Sequence, residues 1–185
     1  MIKPTLKLAL VLTCLGATTS FANTNLSGLQ TQKHIQYSSE QYMYNQYEMV
    51  KNTFYKFDVS FIKHKEVNIV VPTDYGFKTG KSDLTRPLRD KLKLLSEFLN
   101  QYPESYIQIH GNTDNVGNAD YNMMLSQSRA DAVKEILAIN HVNERRIETF
   151  AEGEELPRCS NSTSAGRECN RRVEITILLE QPQDF

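Results

Sequence analysis

Residues 111–130 read GNTDNVGNADYNMMLSQSRA, and the pattern of the chain changes twice within this stretch. The residues just before it, 106–110, alternate between two kinds of side chain, as in a half-buried strand. Short polar side chains around Gly117 are typical of a turn, and apolar residues after Tyr121 recur at the spacing of a helix. The stretch therefore predicts a strand, a polar turn and a helix, in that order.

The same stretch places an acid, Asp114, in the turn and a base, Arg129, within the helix. Asn122, Leu125 and Ser126 lie on or beside the helix face that carries Arg129, because their spacings are three and four residues. A carboxylate and a guanidinium that converge on one small ligand make a receptor for a zwitterion. Each residue alone has a simpler explanation, since Asp114 could bond local backbone amides and Arg129 could be a solvated surface base.

The rest of the chain alternates between strand-like and helix-like patterns. Strands are predicted for residues 66–71, 106–110, 146–151 and 172–179. Helices are predicted for residues 84–99, capped by Thr85, and for residues 121–139, while residues 153–170 form a polar loop with room for a short helix. This order predicts an α+β fold with one mixed four-stranded sheet and helices packed on one face.

The first 22 residues have the pattern of an export signal. Lys3 and Lys7 form a basic start, residues 8–17 are apolar, and Ser20-Phe21-Ala22 supplies small residues at alternate positions. The apolar run is too short for a bilayer-spanning helix, which needs ~20 residues. Cys14 is a candidate lipidation site, although the residue before it is bulkier than such sites prefer. We therefore predict a signal peptide at residues 1–22, an N-terminal extension at 23–65 and the main domain at 66–185.

The charge of the chain argues against a nucleic-acid partner. Removal of residues 1–22 takes away Lys3 and Lys7 and no acidic residue, so the formal net charge moves from −1 to −3. Nucleic-acid binders normally have a strongly basic face. No segment after the signal is long and apolar enough to span a membrane, so the sequence predicts a soluble protein or one peripheral to the outer membrane.

The predicted extension contains one aromatic-rich helix, at residues 38–57. Met43, Tyr47, Val50, Phe54 and Phe57 recur at spacings of four and three, which draws a single apolar stripe. The polar residues 23–36 before it predict a flexible start. We favour packing of the stripe on the main domain, and the alternative is that residues 38–57 bind an envelope partner or a second copy.

Two cysteines remain after the signal, Cys159 and Cys169. In an oxidising compartment an even pair at short spacing predicts a disulfide. Closing so short a loop is worth ~2–3 kcal/mol on the chain-entropy estimate. A two-ligand metal site and a pair of free thiols are the alternatives.

From residue 67 onward the chain resembles the OmpA-like peptidoglycan-binding domain. Three blocks carry the resemblance in the expected order: VPTDYGFKTGKSDL at 71–84, GNTDNVGNADYNMMLSQSRADAV at 111–133 and NSTSAGRECNRRVEI at 161–175. The resemblance implies the β-α-β-α-β-β order of that sandwich fold, and some members share the cysteine pair. Asn112 stands where the family commonly has His or Tyr, and Ala151-Glu152 replaces a usual Gly-Tyr.

The resemblance also implies a ligand, the diaminopimelate residue in the peptide stem of peptidoglycan. Asp114 would accept hydrogen bonds from its free ammonium, and the fork of Arg129 would hold its carboxylate. The implied site consists of Asp114, Arg129, Asn122, Thr113, Leu125 and Arg171, with a structural salt bridge as the alternative role for Arg171. The resemblance implies no cofactor and no metal.

Three classes of function follow from these expectations. The first is a non-enzymatic anchor in the periplasm that holds an exported protein to the cell wall. The second is an accessory component of a larger envelope machine, such as a flagellar motor or a secretion apparatus. A cell-wall hydrolase is the least favoured class, because the sequence shows no nucleophile motif and no His or Cys cluster suited to zinc.

Overall fold

A computed structural model describes the backbone of residues 26–179 and the side chains of residues 39–179. The predicted signal peptide, Cys14 and residues 180–185 lie outside the described residues. In chain order the elements are α1 (Leu26–Thr53), β1 (Asp58–Ile62), β2 (Glu66–Pro72), α2 (Thr73–Gly76), α3 (Arg86–Gln101), β3 (Tyr106–Asn112), α4 (Ala119–Ile139), a 3-10 turn (Glu144–Arg146), β4 (Ile147–Gly153), α5 (Ser164–Asn170) and β5 (Arg172–Leu178).

The strands form one mixed sheet in the order β1-β2-β5-β3-β4. β3 and β4 run parallel, and the other neighbours are antiparallel. Alternate residues of the central strands, such as Ile69, Ile109 and Ile175, are completely buried under α1, α3 and α4. The predicted α+β class, with helices on one face of a mixed sheet, is therefore confirmed.

The predicted number of strands is wrong, because the described sheet has five strands and not four. The additional strand, β1, pairs with β2 from Asp58 opposite Val70 to Ile62 opposite Glu66. Lys63 and His64 both have positive φ, at 48° and 58°, and the Lys65 amide donates to the Ile62 carbonyl at 3.0 Å, which is a tight turn within the connection of residues 63–65. The predicted boundary between residues 65 and 66 falls at the end of this turn, and it remains a prediction.

Helix α1 begins before the predicted helix and ends earlier. It starts at Leu26, so the predicted flexible start is wrong for the residues that α1 includes, and it ends at Thr53 rather than near residue 57. Met43, Val50 and Phe54 are at most 1% exposed. Packing of the aromatic stripe on the main domain is thus confirmed, and a partner at residues 38–57 would have to contact the outer side of α1.

Two local features position α4 over the sheet. The side chain of Asn118 caps the helix by accepting the Tyr121 amide at 3.0 Å. α4 then crosses β3 so closely that a Cβ atom at Gly111 would lie 2.1 Å from the backbone oxygen of Ser126. Only glycine permits this approach, which brings the next turn of α4, including Arg129, beside the end of β3.

The predicted disulfide is confirmed, because Cys159 and Cys169 are bonded to each other. The same loop is held a second time by the buried side chain of Asn170. Its oxygen accepts the Cys159 amide at 2.9 Å, and its nitrogen donates to the Cys159 carbonyl at 2.8 Å. The predicted short helix in this loop is α5, and it leads directly into β5.

Along residues 26–179, none of the helices combines the length and the apolar character that crossing a membrane requires.

Candidate binding cleft

A cleft of about 400 Å³ opens where the ends of several elements meet. Its walls come from α2 and the following loop, the turn after β3, one face of α4, and the junction between α5 and β5. All six predicted site residues line it: Thr113, Asp114, Asn122, Leu125, Arg129 and Arg171. Asp114 and Arg129 therefore border the same space, as the zwitterion hypothesis requires.

Arg129 is the most deeply buried charged side chain in this cleft. Its side chain is buried, with 5% exposed, and its guanidinium carbon lies 5.5 Å from the centre of the Phe77 ring. The Nε atom donates to the Lys81 carbonyl at 3.1 Å. Among the described residues, the two terminal nitrogens have no hydrogen-bond or ion-pair partner. Burial lowers the pKa of this guanidinium, and the nearby Asp74 carboxylate partly opposes that effect.

Arg171 holds both carboxylates of the cleft. One terminal nitrogen lies 2.9 Å from Asp114 Oδ2, and the other lies 2.8 Å from Asp74 Oδ2. The hydrogen bond to Asp74, followed by that to Asp114, raises the pKa of Arg171, and the bond from Arg171 in turn lowers the pKa of Asp74. Arg171 thus forms the structural salt bridge that was one of its two predicted roles, and it also lines the cleft.

Asp114 is fixed from two sides. In addition to Arg171, it accepts the Val116 amide at 3.1 Å through Oδ1, an Asx-type turn contact. Its side chain is 13% exposed. A carboxylate has about four lone-pair positions, so after these two bonds Asp114 can still accept a donor from a ligand.

Asn122 shapes the turn more than it faces the cleft. Its Nδ2 donates to the carbonyls of Asp114 and Val116, both at 3.2 Å, and to Glu154 Oε2 at 2.8 Å. A ligand contact through this nitrogen would have to displace one of these bonds. The direct ligand role that was expected for Asn122 remains a prediction.

Thr113 cannot bind a ligand through its backbone amide, because that amide donates to the Gly153 carbonyl at 2.7 Å. Its hydroxyl is buried and has no hydrogen-bond partner among the described residues, and the same holds for Thr73. Both threonines line the cleft. A buried hydroxyl without a partner is costly, so a ligand that bonds to either would relieve that cost.

The segment after β2 contributes six cleft residues that the sequence did not predict: Thr73, Asp74, Phe77, Lys78, Thr79 and Gly80. The first three of these bear directly on the site. Thr73 and Asp74 come from α2, and Phe77 supports the guanidinium of Arg129. All three lie in the block at residues 71–84, so a polar pair beside an aromatic was visible there. Their partners are far away in sequence, since Asp74 and Arg171 are separated by 97 positions.

The charges of the cleft favour a ligand with two opposite charges. Two carboxylates and three arginines line it, with Arg167 as the third, together with Lys78. Because Arg171 pairs with both carboxylates, the excess positive charge of the cleft lies on Arg129 and Arg167, and Arg129 is the more deeply buried of the two. The arrangement can therefore hold an anionic group at Arg129 and a donor group beside Asp114.

The two departures from the family pattern lie outside the cleft lining. Asn112 is buried, and its side chain donates weakly to the His110 carbonyl at 3.4 Å. Glu152 pairs with His110 at 2.7 Å on the sheet face opposite the helices.

Known proteins resemble the chain both in sequence and in structure. The sequence model of the OmpA family matches residues 76–171, just over half of the chain. Outer membrane porin F of Pseudomonas fluorescens is 39% identical over 107 residues, which cover 58% of this chain and 33% of that protein. The peptidoglycan-associated lipoprotein of Haemophilus influenzae is 37% identical over 99 residues, 54% of this chain and 63% of the lipoprotein. The chain therefore spans less than two thirds of the length of these relatives.

Solved structures share the fold over a longer segment. A MotB-like protein from Desulfovibrio vulgaris has a TM-score of 0.68 at 21% identity, covering 78% of this chain and 98% of that one. The cell wall anchor of the T6SS from Pseudomonas aeruginosa has a TM-score of 0.61 at 20% identity, covering 77% and 97%. At these identities the likeness shows the fold alone, and it extends beyond the segment that the family model matches.

Proposed function

This chain belongs to the OmpA family, and on that premise we propose that its cleft binds the free end of diaminopimelate in the peptide stem of peptidoglycan. Binding is non-covalent and holds an exported protein to the cell wall in the periplasm. The peptidoglycan-associated lipoprotein among the relatives supports this choice of polymer by its name. The site residues named above are part of the proposal.

The observation that carries the proposal is a buried arginine whose terminal nitrogens are unused. One hydrogen bond and the contact with Phe77 compensate the burial of this guanidinium only in part, since burying a charge without a paired partner costs several kcal/mol. A carboxylate bound in a bidentate way would satisfy both terminal nitrogens. The distal end of diaminopimelate supplies such a carboxylate.

The opposite charge of the ligand fits the other side of the cleft. The distal carbon of diaminopimelate carries an ammonium beside its carboxylate, and Asp114 has lone pairs left after its bonds to Arg171 and Val116. Thr73 and Thr113 line the same space, and their hydroxyls are buried there without a partner. A zwitterion therefore finds a complementary group for each of its charges.

This pairing predicts selectivity between two kinds of cell wall. A stem with lysine in place of diaminopimelate keeps the distal ammonium but lacks the distal carboxylate. Arg129 would then remain unsatisfied in a closed cleft, and the loss of one charge-assisted pair costs about tenfold or more in affinity. We expect the mature chain to sediment with diaminopimelate-type peptidoglycan and to stay in solution with lysine-type peptidoglycan.

Co-sedimentation with purified peptidoglycan tests the site with two conservative variants. Arg129→Lys keeps the charge but loses the planar fork, and Asp114→Asn keeps the shape but loses the charge. Arg86→Lys and Asp120→Asn are matched controls, because both residues lie outside the cleft lining and are exposed. The two cleft variants should lose at least tenfold in affinity, while the controls bind like the wild type.

Circular dichroism and thermal melting would establish that all four variants fold. Equal sedimentation of the folded cleft variants and their controls would refute the assigned site. Binding of lysine-type and diaminopimelate-type peptidoglycan with equal affinity would refute the ligand. Competition by free meso-diaminopimelate, but not by lysine, would support both.

A tether within a larger envelope machine is the second candidate function. The fold shared with the T6SS cell wall anchor favours it, because the shared segment extends beyond the family match. The predicted partner segment is residues 38–57, so the test is the double substitution Tyr44→Ser and Tyr55→Ser, two exposed aromatic residues, which spares Met43, Val50 and Phe54 of the core. If cross-linked envelope partners and the distribution of the protein are the same in this double variant, a tether role through residues 38–57 fails.

We propose that the chain has no catalytic role toward the polymer it binds. A zymogram on a gel containing peptidoglycan tests this directly. A cleared band at the mass of the mature protein would contradict a purely anchoring function.

A further inference from the structure

A second pocket of about 340 Å³ lies directly beside the cleft. It is lined by Gly80, Lys81, Ser82, Asp83, Tyr121, Met124, Leu125 and Ser128. Gly80, Tyr121 and Leu125 line both spaces. The two are therefore neighbouring compartments of one surface, with a common wall.

Helix α4 donates two hydrogen bonds to the backbone of residues 80 and 81, which line the second pocket. The Tyr121 hydroxyl donates to the Gly80 carbonyl at 3.3 Å, and Arg129 Nε donates to the Lys81 carbonyl at 3.1 Å. Arg129 thus serves both compartments, because its Nε fixes the wall of the second pocket while its terminal nitrogens remain for a ligand in the cleft. A ligand held by Arg129 is separated from the second pocket by the common wall of Gly80, Tyr121 and Leu125.

The second pocket combines an apolar wall with one unpaired cation. Met124 is 70% exposed and Tyr121 is 54% exposed, which is unusual for large apolar side chains on the same helix face. Asp83 pairs with Lys78 at 3.9 Å. Within residues 39–179, the ammonium of Lys81 has no ion-pair partner. A small apolar group next to a carboxylate is complementary to this combination.

We propose that the second pocket binds the residue that follows diaminopimelate in the stem, a C-terminal alanine whose carboxylate pairs with Lys81. The inference rests on the proposed function, because the cleft must first hold the distal end of diaminopimelate. The alanine is joined to the opposite, backbone end of that residue, so it lies outside the cleft when the distal end is bound. Its methyl group meets Met124 and Leu125, and its carboxylate meets Lys81.

A cycle of two ligands and two proteins isolates the contact between Lys81 and the carboxylate. The ligands are the soluble stem tetrapeptide ending in alanine, with either a free C-terminal carboxylate or a C-terminal carboxamide. The proteins are the wild type and Lys81→Met, with Lys93→Met as the control. Lys93 is an exposed lysine on α3, outside the lining of both pockets. The bond from Arg129 to the backbone of residue 81 survives the substitution.

Isothermal titration calorimetry then gives, for each protein, the ratio of its affinity for the acid to its affinity for the amide. The wild type and Lys93→Met should bind the acid about two- to fivefold more tightly than the amide, as expected for a partly exposed ion pair. Lys81→Met should bind both ligands equally, with an affinity close to that of the wild type for the amide. Higher salt should reduce the ratio in the wild type and leave that of Lys81→Met unchanged.

An equal affinity of the wild type for acid and amide would overturn the inference, as would an undiminished ratio in Lys81→Met. Either result can occur while the cleft still binds diaminopimelate. The Arg129→Lys variant tests that binding independently, because it should lower the affinity for the acid and for the amide by the same factor. Failure of both ligands to bind the wild type would instead refute the proposed function, and the inference would fall with it.

Discussion

Replacement of Arg129 by methionine should separate stability from binding. Methionine has a similar length and is flexible enough to fill the space along α4. The change removes three features at once: the bond from Nε to the Lys81 carbonyl, the stacking of the guanidinium on Phe77, and a buried charge. The first two stabilise the fold, and the third destabilises it.

The opposing contributions are similar in size. A hydrogen bond to a charged group is worth ~1.5–3 kcal/mol, and a partly desolvated cation–π contact adds ~0.5–2 kcal/mol. Relief of the desolvation of an incompletely paired charge returns several kcal/mol. The free energy of unfolding of Arg129→Met should therefore lie within about 2 kcal/mol of the wild type, on either side.

The loss of binding should be much larger. A ligand carboxylate that enters the cleft without Arg129 is desolvated and unpaired, which costs ~3–5 kcal/mol, or on the order of 10²–10⁴-fold in affinity. Urea denaturation of the free protein measures the change in the free energy of unfolding, and calorimetry with the stem peptide measures the loss of affinity. A loss of unfolding free energy above about 4 kcal/mol would show that Arg129 has a mainly structural role, and binding within threefold of the wild type would refute its role as the carboxylate receptor.

Three further predictions concern the framework of the cleft. Burial acts to raise the pKa of Glu174, but the hydrogen bond and charge of Arg172 outweigh it and hold the pKa below its ordinary value of 4.5. The ionised Glu174 therefore stabilises the fold above pH 4.5, and this contribution is lost as the pH falls through the lowered pKa. The melting temperature of Glu174→Gln should accordingly depend less on pH in that range than the melting temperature of the wild type. Serine at both disulfide cysteines should cost less than the ~3 kcal/mol of the chain-entropy estimate, because Asn170 also holds the loop, and a cost above that figure in urea denaturation would contradict this role. Gly111→Ala should cost about 3 kcal/mol in urea denaturation and weaken sedimentation with peptidoglycan, because its Cβ would meet the Ser126 carbonyl; unchanged stability would show that α4 can move away from β3.

Local patterns were sufficient to predict most of the framework and four cleft residues, Asp114, Asn122, Leu125 and Arg129, whereas the roles of Thr113 and Arg171 were implied by the family resemblance. The alternation in β3, the polar turn and the helical spacing in α4 each reflect whether a side chain faces the core, and each is visible within a few residues. Asp114 and Arg129 follow from the same patterns, because one marks the exit of a strand and the other lies two turns along the helix from Asn122. Convergence on one cleft then depended on the close contact at Gly111, which sequence spacing alone does not reveal.

The features that were missed depend on partners far away in the chain. β1 is a strand because it completes a hairpin with β2 and because Phe61 stacks on Tyr47 of α1, at 5.2 Å between ring centres. Its five residues lie directly after an aromatic stripe, where the helical pattern obscured them. Asp74 belongs to the cleft network because Arg171 donates a hydrogen bond to it. The Nδ2 atom of Asn122 is less available to a ligand than expected because it donates to Glu154. None of these pairings leaves a mark in local periodicity.

The packing of α1 has a mechanical consequence for the anchoring role proposed above, in which the chain is held under tension. A force applied to the chain ahead of residue 26 acts first on α1. This helix is held to the domain mainly by side-chain packing of Met43, Val50 and Phe54, whereas β1 is held by backbone hydrogen bonds to β2. α1 should therefore release before any strand does. Its 28 residues would lengthen from ~42 Å as a helix to ~95 Å when extended. The central strands would stay paired and the cleft would keep its shape during this release. The proposed anchor would therefore lengthen under force while its cleft stayed bound to the cell wall.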